Sequence, residues 1–123
     1  MVTLLLADTD PGIKDIVHEV ENMCHAVGFG IIVHHEDEDL DEILESVDSK
    51  IIAFSPKGKL TLDEMIDKYS DGNILLVVGG FTEGDFKSDV YSRSDDTASL
   101  GEELLEVPVV IEKIIEAYEK KAK

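Results

Sequence analysis

Ile74-Leu75-Leu76-Val77-Val78-Gly79-Gly80-Phe81-Thr82-Glu83-Gly84-Asp85-Phe86 is the stretch from which the fold is read. Its first five residues are all apolar, and Ile74, Val77 and Val78 are β-branched. A run of that length and type makes a strand buried on both faces, as in the middle of a parallel sheet. The run stops at a glycine pair. Glycines at a strand end let the backbone approach a ligand closely, and their amides can point into a site. An ordinary strand-to-loop turn would also use Gly79-Gly80. The addition of Gly84, at the head of a long Gly-, Ser- and Asp-rich segment running to about residue 97, points instead to a binding loop. It is not a P-loop, because no Gly-Lys-Ser/Thr follows. It is not a dinucleotide fingerprint, because the G-x-G-x-x-G spacing is absent.

On either side of this strand, short apolar runs alternate with amphipathic segments. Val2–Ala7 reads as a buried strand that stops at Asp8-Thr9-Asp10-Pro11-Gly12. Asp10 can cap a helix, and Pro11 suits its first turn. Ile13, Ile16, Val17, Val20, Met23, Cys24 and Val27 then fall at helical spacing, with Gly28 as the stop. Ile31–Val33 is a short strand. Leu40, Ile43, Leu44 and Val47 mark a short helix, and Lys50–Phe54 is the next strand, closed by the turn Ser55-Pro56-Lys57-Gly58. Thr61-Leu62-Asp63-Glu64 matches a capping box and predicts a helix to about Tyr69. Ala98–Leu100 reads as a last strand. A helix from about Val107 presents Val107, Val110, Ile111, Ile114, Ile115 and Tyr118 on one face, with Val109 beside it. That extra apolar surface argues for a homodimer. Such alternation predicts an α/β fold, a mostly parallel sheet with helices on both faces. Residues 1–123 read as a single domain without repeat or linker. In open parallel sheets the site lies beyond the carboxyl ends of the strands.

Composition narrows the function classes. The chain has 123 residues, with 28 Asp and Glu against 11 Lys and Arg, a formal net charge of -17. Its 43% hydrophobic content supports a packed core, so this acidity does not mean global disorder. Generic coating of nucleic acid is excluded by repulsion, and a specific RNA site is disfavoured. Arg93 is the single arginine. Eight of the acids fall between Glu36 and Asp48, so much of the charge is local. Cys24 stands alone, which removes an intrachain disulfide and a Cys-rich zinc site. No signal peptide or membrane span is read, and the expected setting is a reducing cytoplasm.

Val78-Gly79-Gly80-Phe81-x-x-Gly84-Asp85-Phe86, then Ser99-Leu100 and Glu103-Leu104, then a helix ending Ile115-Glu116-Ala117-Tyr118-Glu119, resembles the C-terminal half of the SPOUT methyltransferases. The likeness is to the archaeal and eukaryotic subgroup that methylates pseudouridine in small-subunit ribosomal RNA. It covers about residues 74–119. Lys14-Asp15-Ile16-Val17-His18 is similar to that subgroup's Arg-Pro-Asp-Ile-Val-His segment, with lysine for arginine and the proline missing. The resemblance implies a shortened SPOUT-type domain with a C-terminal trefoil knot, a homodimer, and S-adenosylmethionine (SAM) as cofactor. Carried over by position, it implies cofactor contacts at Ser55, Gly79, Gly80, Gly84, Ser99, Leu100, Gly101 and Leu104. It implies Asp15 as the catalytic carboxylate that takes or relays a proton. The implied activity is SAM-dependent methylation of ribosomal RNA pseudouridine.

Two other functions fit parts of the chain. A catalytically silent SPOUT-fold dimer that binds SAM or a protein partner would explain the scarcity of arginine. Ala7-Asp8-Thr9-Asp10-Pro11-Gly12-Ile13 resembles the opening of receiver domains, although the third strand ends in Phe54-Ser55-Pro56 without a phosphoacceptor. No metal site is read. His34-His35-Glu36-Asp37-Glu38-Asp39 reads as a solvated acidic loop, since adjacent residues point in different directions. His18 and His25 read as structural helix residues, and Lys57-Gly58-Lys59 as a compact basic turn.

Overall fold

Residues 1–35, 37–81, 86–101 and 106–122 are described by the computed structural model. In chain order the elements are β1 (Val2–Thr9), α1 (Lys14–Ala26), β2 (Gly30–His35), α2 (Leu40–Ser46), β3 (Lys50–Phe54), β4 (Leu60–Thr61), α3 (Leu62–Lys68), β5 (Ile74–Gly79), β6 (Asp96–Ser99) and α4 (Val107–Ala122). Single 3-10 turns cover Pro11–Ile13 and Tyr91–Arg93.

The six strands form one sheet in the order β2-β1-β5-β3-β6-β4, and every pairing is parallel. The apolar run 74–78 is the third strand in this order, flanked by β1 and β3, and all five of its residues are buried. This order removes the receiver alternative. Receiver domains run 2-1-3-4-5, whereas here β5 lies between β1 and β3.

Side chains alternate across the sheet, as period-2 geometry requires. Leu4, Leu6, Ile52, Phe54, Ile74, Leu76 and Val78 face one layer, packed against Val20 and Cys24 of α1, Met65 and Ile66 of α3, and Ile111 and Ile114 of α4. Leu5, Ala7, Ile51, Ala53, Leu75 and Val77 face the other, against Leu40 and Leu44 of α2 and against Val90. Helices therefore cover both faces, three on one side and one on the other.

The end signals in the sequence act as expected. Asp10 accepts from the Gly12 N–H at 2.9 Å and caps the turn that leads into α1. Thr61 Oγ1 accepts from Glu64 N–H at 3.1 Å while Glu64 Oε1 accepts from Thr61 N–H at 3.0 Å, a complete capping box. Replacing Thr61 by Ala removes one of these bonds at an exposed helix start. The expected loss is about 1 kcal/mol, read as a lower urea midpoint with an unchanged slope.

One element is not foreseen. Leu60–Thr61 pairs with β6 as a two-residue strand, β4, and Lys59 N–H donates to Thr97 Oγ1 at 3.1 Å. Two residues carry too little pattern to announce a strand; the pairing is made by the partner. The trefoil knot depends on the path through 82–85 and 102–105, which lie outside the described residues. No helix among the described residues is long and apolar enough to cross a membrane.

Candidate functional site at the carboxyl edge of the sheet

Strand register brings the candidate residues into one row. Ala53 pairs with Val77 of β5, and Phe54 pairs with Ala98 of β6. Carried on along the strands, Ser55 stands beside Gly79 on one side and Ser99 on the other. Neighbouring strands lie about 4.8 Å apart, so Gly79, Ser55 and Ser99 form a shallow shelf across β5, β3 and β6. All three are half-buried, as is Leu100, while Gly101 is exposed. Among the described residues the shelf is lined by small, uncharged side chains.

Local hydrogen bonds shape its rim. Ser55 N–H donates to Ala98 O at 3.0 Å, and its carbonyl accepts from Gly58 N–H at 3.0 Å. Its hydroxyl accepts from Lys57 N–H at 3.2 Å, closing the turn after β3. Ser99 Oγ accepts from Gly101 N–H at 3.0 Å and shares its one hydrogen between the carbonyls of Pro56, at 3.1 Å, and Gly101, at 3.2 Å. Ser99 thus ties the turn after β3 to the turn after β6. Gly101 has φ of +122°, a conformation that only glycine adopts readily.

Gly80 has a different reason from the one its sequence context suggests. Its N–H donates to Ala7 O at 2.9 Å, and its carbonyl accepts from Asp10 N–H at 2.9 Å. A Cβ at Gly80 would sit 2.5 Å from Thr9 Oγ1 and 2.8 Å from Thr9 Cα. The missing side chain makes room for β1. Gly79 differs again, since its Cβ would meet the Phe81 ring at 2.6 Å. Gly84 and Leu104 lie outside the described residues.

Asp15 is exposed in the first turn of α1, beyond the end of β1. Among the described residues, no hydrogen bond or ion pair joins it to the shelf. Its neighbour Lys14 lines a cleft of about 670 Å³ at the ends of β1 and β2, together with Thr9, Asp10, Val17, His35 and Glu38. This cleft opens on the β1–β2 side, whereas the shelf spans β5, β3 and β6. The structure therefore gathers Ser55, Gly79, Ser99, Leu100 and Gly101, and leaves Asp15 apart from them.

Two buried polar residues escape the sequence reading. His34 is fully buried rather than part of a solvated loop. Its Nδ1 accepts from Asp8 N–H at 3.0 Å, so the ring hydrogen sits on Nε2 and goes to Glu38 O at 2.9 Å. The 3.9 Å approach of Nδ1 to Asp8 Oδ1 is consequently not an ion pair in this tautomer. Asp8 is 3% exposed and adopts φ of +54°. Its Oδ2 accepts from Lys87 N–H at 2.8 Å and Ser88 N–H at 3.0 Å, and its Oδ1 accepts from Ser88 Oγ at 2.6 Å. Burial pushes this carboxyl upward, yet the Ser88 and Lys87 hydrogen bonds outweigh it and hold Asp8 below the usual carboxylate range. The signal was the pair Asp8 and His34 at adjacent strand ends; the partners of the Asp8 carboxylate, Lys87 and Ser88, lie 79 and 80 residues away in sequence and cannot be inferred locally.

Other chemistry is limited by geometry. Cys24 is buried, and burial with the nearby Glu21 pushes its thiol up to about 11, so it is no nucleophile at neutral pH. Among the described residues, no cluster of three His, Cys, Asp or Glu side chains is arranged to hold a metal ion. Arg93 is engaged by α2, with Nη2 donating to Glu45 Oε1 at 3.1 Å and Nε lying 3.5 Å from Asp41 Oδ1.

Comparison with known proteins adds a family. The model of the EMG1/NEP1 methyltransferase family matches residues 26–119. The ribosomal RNA small subunit methyltransferase Nep1 of Methanothrix thermoacetophila is 39% identical over 90 residues, which cover 72% of this chain and 39% of that protein. The Nep1 proteins of Thermoplasma volcanium and Thermoplasma acidophilum are 35% and 34% identical, over 66% and 56% of this chain. The matched segments span less than two fifths of the length of these relatives.

Proposed function

The chain belongs to the EMG1/NEP1 methyltransferase family, and from that premise we propose that it binds SAM on the β5–β3–β6 shelf and methylates RNA. The observation that carries this reading is the alignment of Gly79, Ser55 and Ser99 in one half-buried row at the carboxyl edge. Small side chains there leave backbone groups accessible, and Leu100, packed partly on the core, offers an apolar wall. Bound there, SAM would supply a methyl group made electrophilic by its sulfonium. Its net positive charge also suits a chain of net charge -17.

In this reading Ser55, Gly79, Ser99, Leu100 and Gly101 hold the cofactor, with Gly80 setting the loop and Gly84 and Leu104 completing the cleft. Asp15 takes or relays the proton from the target nitrogen. The target class is a pseudouridine of small-subunit ribosomal RNA, by analogy with the named relatives. The domain is single, knotted at its C-terminal end and paired with a second copy.

A silent SAM-binding dimer is the second reading, and one observation favours it. The single arginine is engaged with Asp41 and Glu45, which leaves exposed lysines as the cations for an RNA backbone. Calorimetry with SAM, followed by transfer of labelled methyl groups to ribosomal RNA fragments, separates the two. Binding with transfer supports the enzyme, and binding without transfer supports the silent form. No binding at millimolar SAM would sink both.

A further inference from the structure

We propose that Asp8 is a positioning residue that clamps Lys87 and Ser88, beyond the glycine pair, onto the end of β1. Both ends of the segment 80–88 meet the same short piece of chain. At its entry, Gly80 exchanges backbone hydrogen bonds with Ala7 and Asp10, each at 2.9 Å. At its exit, the Asp8 carboxylate receives Lys87 N–H, Ser88 N–H and the Ser88 hydroxyl at 2.8, 3.0 and 2.6 Å. Just before the exit Phe86 packs against the α2 face of the sheet, and beyond it Val90 is buried.

The clamp is built at a conformational cost. A positive φ is uncommon outside glycine, although Asp tolerates it better than most residues. At Asp8 it is supported from below, because its N–H reaches the buried His34 ring, which is itself fixed through Nε2 to Glu38 O. A strained residue buried with its N–H and both carboxylate oxygens engaged is over-determined by its surroundings, a pattern that clusters at ligand sites. Among the described residues no hydrogen bond joins the carboxylate to Ser55, Gly79 or Ser99. The carboxylate acts through the segment that begins at Gly79 and Gly80. Backbone already fixed at Gly80 and at Lys87 and Ser88 leaves less ordering to be done when a ligand binds beside it, which raises affinity without new contacts. This inference rests on the shelf being the SAM site.

The test uses the full chain with Asp8→Ala, Asp8→Asn and Ser88→Ala. It combines SAM calorimetry with hydrogen exchange at the Lys87 and Ser88 amides, and uses the β3 amides as an internal reference. Asp8→Ala is expected to expose both amides and weaken SAM at least tenfold while β3 protection is kept. Asp8→Asn retains an oxygen that can accept from both amides, so affinity is expected within threefold of the parent. Ser88→Ala leaves the carboxylate and costs about threefold; it carries the test alone if Asp8→Ala does not fold. Unchanged affinity when the two amides are exposed would overturn the positioning role, as would a loss of affinity with the amides still protected. If the parent chain itself fails to bind SAM, the cofactor link falls, and the exchange data alone decide whether the clamp exists.

Discussion

Ile111→Ala should unfold the chain at a far lower urea concentration than the parent. Ile111 is fully buried in α4, within the cluster that joins α1, α3 and one face of the sheet. Its side chain packs into the layer formed by Leu4, Leu6, Ile52, Leu76 and Val78, which are themselves nearly inaccessible. Truncation removes buried methyl and methylene groups and leaves a void that rigid strands cannot fill. Such changes cost about 2–5 kcal/mol, against a total stability of roughly 5–15 kcal/mol for a domain of this size. Glu112 is the control one position along the same helix. It is exposed, and Glu112→Ala should change stability by no more than about 0.5 kcal/mol. Equal midpoints for the two variants would mean that α4 does not close this core.

The periodic features are the ones legible in the sequence. Continuous apolar runs announce β1, β3 and β5 because a parallel strand buries both faces, and the observed buried residues alternate between the two layers. Thr61 and Glu64 announce α3 because their bonds span only three residues. The shelf was legible in part. Strand ends name Ser55 and Gly79, and the family resemblance names Ser99, but their juxtaposition needs the strand order, which no local pattern encodes. The glycine pair shows the limit most clearly. Gly79-Gly80 reads as room for a ligand, yet at Gly80 the room is taken by Thr9. His34 reads as loop because five of the next seven residues are acidic, and it is buried because Asp8 N–H requires an acceptor there. A sequence shows that a residue is small or polar; it does not show which distant backbone has claimed the space or the bond.

Gly58→Ala should damage both the fold and the shelf, and more severely than Gly79→Ala. A Cβ at Gly58 would sit 2.2 Å from the Ala98 carbonyl carbon, 2.3 Å from its oxygen and 2.8 Å from its Cα. These are backbone atoms of β6, and β6 is fixed on both sides, by Phe54 of β3 and by Leu60 of β4. Ser55 N–H also holds the Ala98 carbonyl at 3.0 Å. Neither side can yield by turning a side chain, so the turn 55–58 has to lift away from β6. That movement pulls Pro56 O from Ser99 Oγ and opens the shelf between β3 and β6. Overpacking of this kind costs about 1–3 kcal/mol, and more when backbone must move. At Gly79 the obstruction is the Phe81 ring, which can rotate, so Gly79→Ala meets a softer barrier. Thermal unfolding and SAM calorimetry on both variants check the ordering. Gly58→Ala should melt several degrees below Gly79→Ala and bind SAM at least tenfold more weakly than the parent. A Gly58→Ala chain that melts with the parent would show that β6 can move away from the turn. One that melts early yet binds SAM normally would place the cofactor somewhere other than the Ser55–Ser99 rim.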